Sequence, residues 1–191
     1  MLSDLLPQPL IDLLVSEFPK PDDIEWTQWG PGRTRSLPEG PQNKLGQSDE
    51  QYFGPFTRHF MAQLNSATFV SFLEKLTGIE GIIVDPSYNS CGLHSTGVGG
   101  RLMIHTDMNR HPHSGHVLHQ VLNLILYLNP GWQDGWGGEL ELWTRDAKPD
   151  VRILPVANRA VLFATGTKSF HGHPNPVACP AGRRRNSIAV Y

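Results

Sequence analysis

A chain of 191 residues with 39% hydrophobic and 18% charged residues has the composition of a folded domain with its own core, not of a disordered or fibrous protein. The formal net charge is -2 and the longest basic run is Arg183-Arg184-Arg185, so no electropositive stripe awaits a phosphate backbone and nucleic acid is not an expected partner. Membrane insertion is not expected either, because no apolar run approaches the ~18 residues of a span and Met1-Leu2-Ser3-Asp4 lacks the basic start of a signal peptide.

Cys91 and Cys179 are the two cysteines, and they form neither a CxxC pair nor a disulfide framework. A single domain over residues 1–191, in a reducing cytoplasm, is the expectation.

The first 80 residues read as mostly helical support. Leu10, Leu13, Leu14 and Phe18 recur at helical spacing, as do Phe60, Met61 and Leu64 after Pro55. A third helix is predicted with Thr68 as its N-cap, an apolar stripe of Phe69, Phe72, Leu73 and Leu76, and Gly78 as the left-handed residue that ends it. Residues 30 to 50, between the first two helices, are rich in proline and glycine and poor in apolar residues, the composition of a loop or lid. Trp26, Trp29, Arg33 and Arg35 supply it with aromatic and basic side chains that could close over a site.

From residue 81 the period changes. Short apolar or alternating runs at 100–105, 121–128, 138–143, 159–164 and 187–191, separated by Gly, Pro, Asn and Asp, predict a sandwich or barrel of strands on which the helices pack. Val121 to Leu128 is apolar at nearly every position and should be buried on both faces. Glu139-Leu140-Glu141-Leu142 alternates and should face solvent on one side.

The chemistry concentrates at the end of the 100–105 run. His105 and Asp107 are two residues apart, so in a strand a nitrogen and a carboxylate oxygen converge on one face. Ser169-Phe170-His171-Gly172-His173-Pro174, after the 159–164 strand, offers a third ligand in either histidine. Two histidines and one carboxylate on one face, with coordination positions left open, form the donor set of non-heme iron oxygenases. A His-x-Asp triplet alone is common by chance, but here order and context add to it. His105-Thr106-Asp107 is followed by Leu124-Ile125-Leu126-Tyr127-Leu128-Asn129, then Trp132, Gly137-Gly138-Glu139-Leu140, Ala160-Val161-Leu162-Phe163, His171 and Arg185-Asn186-Ser187-Ile188.

Over about residues 85 to 191 this order resembles the prolyl-4-hydroxylase-like branch of the 2-oxoglutarate/iron(II) oxygenases. The resemblance implies a double-stranded β-helix, or jelly roll, so the whole is expected to be mainly β with N-terminal packing helices. It implies Fe(II) held by His105, Asp107 and His171, with His171 preferred to His173. It further implies that Arg185 pairs with the distal carboxylate of 2-oxoglutarate, that Tyr127 lines the same pocket, and that Ser187 assists. An arginine fork suits a carboxylate in a way lysine does not.

The implied reaction uses O2 to hydroxylate an unactivated C–H bond, with succinate and CO2 as co-products. Asp107 occupies the position that halogenases of the superfamily vacate for halide. The sequence departs from oxygen-sensing prolyl hydroxylases at Gln120, where they carry arginine, and at Leu102, where they carry tyrosine. The substrate of those enzymes is therefore not transferable. The small size and the lack of an accessory peptide-binding domain make a small-molecule substrate, such as an amino acid or a biosynthetic intermediate, the first expectation. A peptidyl prolyl hydroxylase and a non-catalytic jelly-roll binding module are the alternatives. His111, His113, His116 and His119 form a histidine-rich stretch that reads as a polar hairpin loop, with a second metal site or an anion contact as the sharper reading.

Overall fold

The computed structural model describes residues 1–28, 43–85, 88, 91–107 and 118–191. In chain order they form strand β1 (Leu2–Ser3), helix α1 (Gln8–Glu17), β2 (Thr27–Gln28), β3 (Lys44–Gln47), a 3-10 turn (Glu50–Tyr52), α2 (Pro55–Leu64) and α3 (Ala67–Thr77). The strands β4 (Gly92–Thr96), β5 (Leu102–His105), β6 (Leu122–Tyr127), β7 (Leu140–Trp143), β8 (Pro149–Ile153), β9 (Arg159–Ala164), β10 (His171–His173) and β11 (Arg185–Val190) follow. Every pairing is antiparallel. One sheet runs β1-β9-β6-β11-β4-β3-β2 and the other β5-β10-β7-β8, which is the expected jelly roll.

Strand β6 shows how the layers are held. It lies between β9 and β11, and successive side chains point to opposite faces. Leu124 and Leu126 join Ile11, Leu14, Phe60, Met61 and Leu64 under the helices, together with Leu93, Ala160 and Ile188 of neighbouring strands. Ile125 and Tyr127 turn the other way, toward Leu140, Ile153 and Val161 between the sheets. The expectation that this strand is buried on both faces holds, and truncating a residue such as Leu126 to alanine should cost about 2–5 kcal/mol.

The helices are as predicted in place but not in every contact. In α1 the buried residues are Ile11 and Leu14, while Leu13 is 44% exposed. Gly54, the cap position of α2, has no side chain to offer. The last residue of α1 replaces it: Glu17 accepts from the backbone N–H of Phe56 at 2.9 Å and of Thr57 at 2.7 Å, and from the Thr57 hydroxyl. The cap of α3 is Ser66, two residues before the expected Thr68, because its hydroxyl reaches the Phe69 N–H at 3.3 Å. Gly78 does end α3, at φ 73°. Of the α3 stripe, Phe69 packs on the core while Phe72 and Leu76 are exposed.

Three further expectations are corrected. Residues 44–47 form β3, a strand of the large sheet, rather than the end of a loop. Trp26 does not belong to a lid: it stacks on Phe18 at a ring-centroid distance of 6.1 Å and donates its indole N–H to the Lys20 carbonyl. Trp29, Arg33 and Arg35 lie outside the described residues. Glu139 and Glu141 are buried, not solvent-facing, because Arg152 on β8 bridges both carboxylates and Trp143 and Asn175 donate to Glu141. Among the described residues no helix is long and apolar enough to cross a membrane.

Candidate metal centre

His105 ends β5 and His171 begins β10, and the two are direct partners across the ladder. Opposed residues of an antiparallel pair share a face, so their rings meet at 4.5 Å between centroids. Asp107 Oδ1 completes the group, 3.6 Å from His105 Nε2 and 3.4 Å from His171 Nε2. These three side chains are the group of potential metal ligands among the described residues. Gly172 makes the close crossing possible, since a Cβ there would lie 2.8 Å from the Leu102 and Met103 carbonyl oxygens.

Each donor atom is oriented by a second contact. His105 Nδ1 lies 2.8 Å from the Met103 carbonyl and His171 Nδ1 lies 3.0 Å from the Ser169 carbonyl. With an ion bound, donation to those carbonyls would keep the ring proton on Nδ1 and leave the Nε2 lone pair for the ion. Asp107 Oδ2 accepts from Gln120 Nε2 at 3.0 Å and from Asn123 Nδ2 at 3.1 Å, which turns Oδ1 toward the imidazoles. Burial pushes the Asp107 pKa up, but the two imidazoles and the Asn123 amide outweigh it and hold the carboxyl far below its ordinary range. The folded state therefore favours the carboxylate anion. Two imidazole nitrogens and one carboxylate oxygen suit a divalent first-row metal and leave further positions for other ligands, so the chemistry of the donor set fits iron(II).

Arg185, at the start of β11, is 5% exposed. It faces the same interior as Tyr127: its Nε donates to the Gly138 carbonyl at 2.6 Å, its Nη2 to the Tyr127 hydroxyl at 3.3 Å, and its guanidinium carbon stands 5.0 Å from the Tyr127 ring centre. Gly138, at φ 70°, cannot be replaced without strain, since a Cβ would come within 2.9 Å of Arg185 Cδ. Burial lowers the Arg185 pKa and raises that of Tyr127, while each group's attraction for the other works against the shift. Ser187 is opposite Tyr127 on β6 and His94 on β4. Thus Arg185 and Tyr127 are in contact, and Ser187 lies beside them as the ladder partner of Tyr127.

Of the two candidate histidines on β10, His171 meets Asp107. His173 is 2% exposed and has no hydrogen-bond partner for either ring nitrogen among the described residues. Its pKa is held well below the ordinary value by burial first, then by the charges of Arg185, Lys44, His105 and His94. Lys44, on β3 opposite Thr96, is itself buried, and its pKa is lowered to about 8 by burial and by Arg185, against the attraction of Asp107. Leu102 is the ladder partner of His173. His111, His113 and His116 lie outside the described residues, and His119 is exposed.

Sequence reasoning missed Gln120 and Asn123 as supports for Asp107, missed Lys44, and weighed His173 only as a rival metal ligand. Asn123 carried a usable signal, being the one polar residue in the run Leu122 to Leu128. Lys44 carried none, because nothing local says that a lysine after a loop will turn inward.

A jelly roll with a His, Asp, His group between its sheets and a buried arginine on the same interior defines a mononuclear metal oxygenase scaffold. Residues 91–191, more than half of the chain, match the family model of the 2OG-Fe(II) oxygenase superfamily, and the chain belongs to that superfamily: it is a dioxygenase that uses Fe(II), 2-oxoglutarate and O2. No curated protein matches the sequence.

Solved structures share the fold at low identity. A Pseudomonas putida prolyl-4-hydroxylase superposes with a TM-score of 0.66 at 20% identity, over 99% of this chain and 88% of that one. A Trichoplax adhaerens prolyl hydroxylase, in complex with a hypoxia inducible factor oxygen degradation domain peptide fragment, gives 0.63 at 16%, over 99% and 80%. HygX from Streptomyces hygroscopicus, with nickel, 2-oxoglutarate and hygromycin B bound, gives 0.55 at 10%, over 99% and 80%.

Proposed function

We propose that His105, Asp107 and His171 hold iron(II), that Arg185 with Tyr127 and Ser187 holds the distal carboxylate of 2-oxoglutarate, and that the enzyme hydroxylates a C–H bond of a small molecule, such as an amino acid or a biosynthetic intermediate. The observation that carries this reading is the convergence of His105 Nε2, His171 Nε2 and Asp107 Oδ1 on the interior that also receives the buried Arg185. Iron(II), 2-oxoglutarate and dioxygen together supply the oxidising chemistry, with succinate and CO2 as co-products.

The protein's part is positional. The Met103 and Ser169 carbonyls fix the histidine tautomers, Gln120 and Asn123 fix the carboxylate, and the wall of Tyr127, Val161 and Phe163 excludes bulk water. The Asp107 carboxylate fills the position a halide would need, which favours hydroxylation over halogenation.

Gln120 supports the small-molecule reading. It stands where the oxygen-sensing prolyl hydroxylases carry arginine, and its amide is committed to Asp107. The second reading, a peptidyl prolyl hydroxylase, draws on the fold likeness to two prolyl hydroxylases. Succinate release separates the two. With iron(II), 2-oxoglutarate and air, free amino acids and small metabolites should stimulate it above the uncoupled rate. Stimulation by proline-containing peptides alone would sink the small-molecule reading.

A further inference from the structure

We infer that His173 binds the cosubstrate, donating a hydrogen bond from its imidazole to an oxygen of 2-oxoglutarate. The inference rests on the placement of iron and 2-oxoglutarate proposed above.

His173 is two residues from His171 on β10, so both side chains project from one face of the strand into the interior. It is 2% exposed, yet neither ring nitrogen has a hydrogen-bond partner among the described residues. Its ladder partner Leu102 is apolar and has nothing to offer. A buried imidazole always carries at least one N–H that must be satisfied, and leaving it unpaired is costly. Native structures tolerate few such groups, and each asks for a partner.

The surroundings of His173 say which partner fits. His171, two residues away on the same face of β10, meets His105 across the β5–β10 ladder. The charges of Arg185 and Lys44 act on the His173 ring, so it neighbours the ligand group and feels the Arg185 guanidinium. On the placement proposed above, a ligand with a carboxylate at each end, held at the His105 end and by Arg185, would bring an oxygen to this ring. Cations around it suit an anionic oxygen and repel a cationic or amine ligand. A second unsatisfied group lines the same path. Thr96 is 1% exposed, lies directly opposite Arg185 on the β4–β11 ladder, and its hydroxyl is also without a partner among the described residues. Among the described residues, two buried polar side chains of one interior thus lack partners beside Arg185.

Anaerobic calorimetry tests this with manganese(II) in place of iron, measuring metal affinity and 2-oxoglutarate affinity separately for wild type, His173→Leu, His173→Gln and Arg185→Ala. His173→Leu should bind manganese within about twofold of wild type but 2-oxoglutarate about tenfold more weakly, the worth of one net hydrogen bond to an anion. His173→Gln, which retains an N–H donor, should recover most of that affinity. Thermal melts add a readout that a structural role would not give: without ligand His173→Leu should melt no lower than wild type, and it should lose part of the shift that 2-oxoglutarate produces. Unchanged 2-oxoglutarate affinity in His173→Leu, with Arg185→Ala strongly impaired, would overturn this inference alone. If Arg185→Ala also binds normally, the cosubstrate placement beneath it fails. A parallel loss of manganese affinity in His173→Leu would make His173 a metal-site residue and equally overturn the inference.

Discussion

The side-chain amide of Gln120 donates to Asp107 Oδ2 at 3.0 Å, on the side of the carboxylate opposite the two imidazoles. This contact, shared with Asn123, decides which oxygen faces the ligand group. Removing an outer partner of a metal ligand commonly costs about 10–100-fold in metal affinity or activity. Gln120→Ala should fall in that range for iron(II), and Asn123→Ala similarly. Competition against a fluorescent chelator measures it, and an affinity within twofold of wild type would show that the carboxylate needs no such support.

Arg185 offers a second test through its geometry. Its Nε is held by the Gly138 carbonyl and its Nη2 by Tyr127, which points a planar fork rather than a point charge into the interior. Arg185→Lys keeps the charge but not the fork. The KM for 2-oxoglutarate should rise by about tenfold or more while iron affinity stays unchanged. Steady-state kinetics at varied 2-oxoglutarate, with an unchanged KM as the contrary outcome, checks it.

Lys44 makes stability depend on pH in the metal-free protein. Its pKa falls from 10.5 to about 8 on folding, chiefly through burial. Below pH 8 the lysine is charged in both states and contributes no slope. Between pH 8 and 10.5 the unfolded chain keeps a proton that the folded one has lost, so unfolding free energy rises with pH, by up to about 1.4 kcal/mol per pH unit. Urea melts of wild type and Lys44→Met across that window should differ by this slope. Parallel curves would contradict it.

Glu17 holds α1 to α2 by capping a helix whose own cap residue is glycine. Burial raises its pKa, but bonds from Phe56 and Thr57 outweigh it and leave the carboxyl below its ordinary value of 4.5. The stabilisation is therefore present above pH 4.5 and fades as pH drops through the lowered pKa. Glu17→Ala should cost about 1 kcal/mol at neutral pH, and less in acid, by chemical denaturation. An equal loss at both pH values would point to lost packing instead.

How much of this was legible in the sequence follows from which interactions are local. Periodicity placed all three helices and β5, β6, β7, β9 and β11, because alternation and apolar runs record which face is buried. It missed β4, whose residues Gly92-Leu93-His94-Ser95-Thr96 look like loop yet are wholly buried between β3 and β11. It misread Glu139 and Glu141, since their shielding comes from Arg152 on another strand. The His105, Asp107 and His171 group could be read because i and i+2 spacing and chain order carry it. The roles of Gln120, Lys44 and His173 could not, because each depends on which long-range strand lies opposite.

The most direct test of the central claim is an anaerobic titration of the protein with iron(II) and 2-oxoglutarate, following the weak visible metal-to-ligand charge-transfer band in wild type, Asp107→Ala and Arg185→Ala. The account predicts a band in wild type that weakens in both variants, through lost metal in the first and lost cosubstrate in the second. A folded wild-type protein that develops no band, or variants whose bands match it, would contradict the assignment of these residues to iron and 2-oxoglutarate.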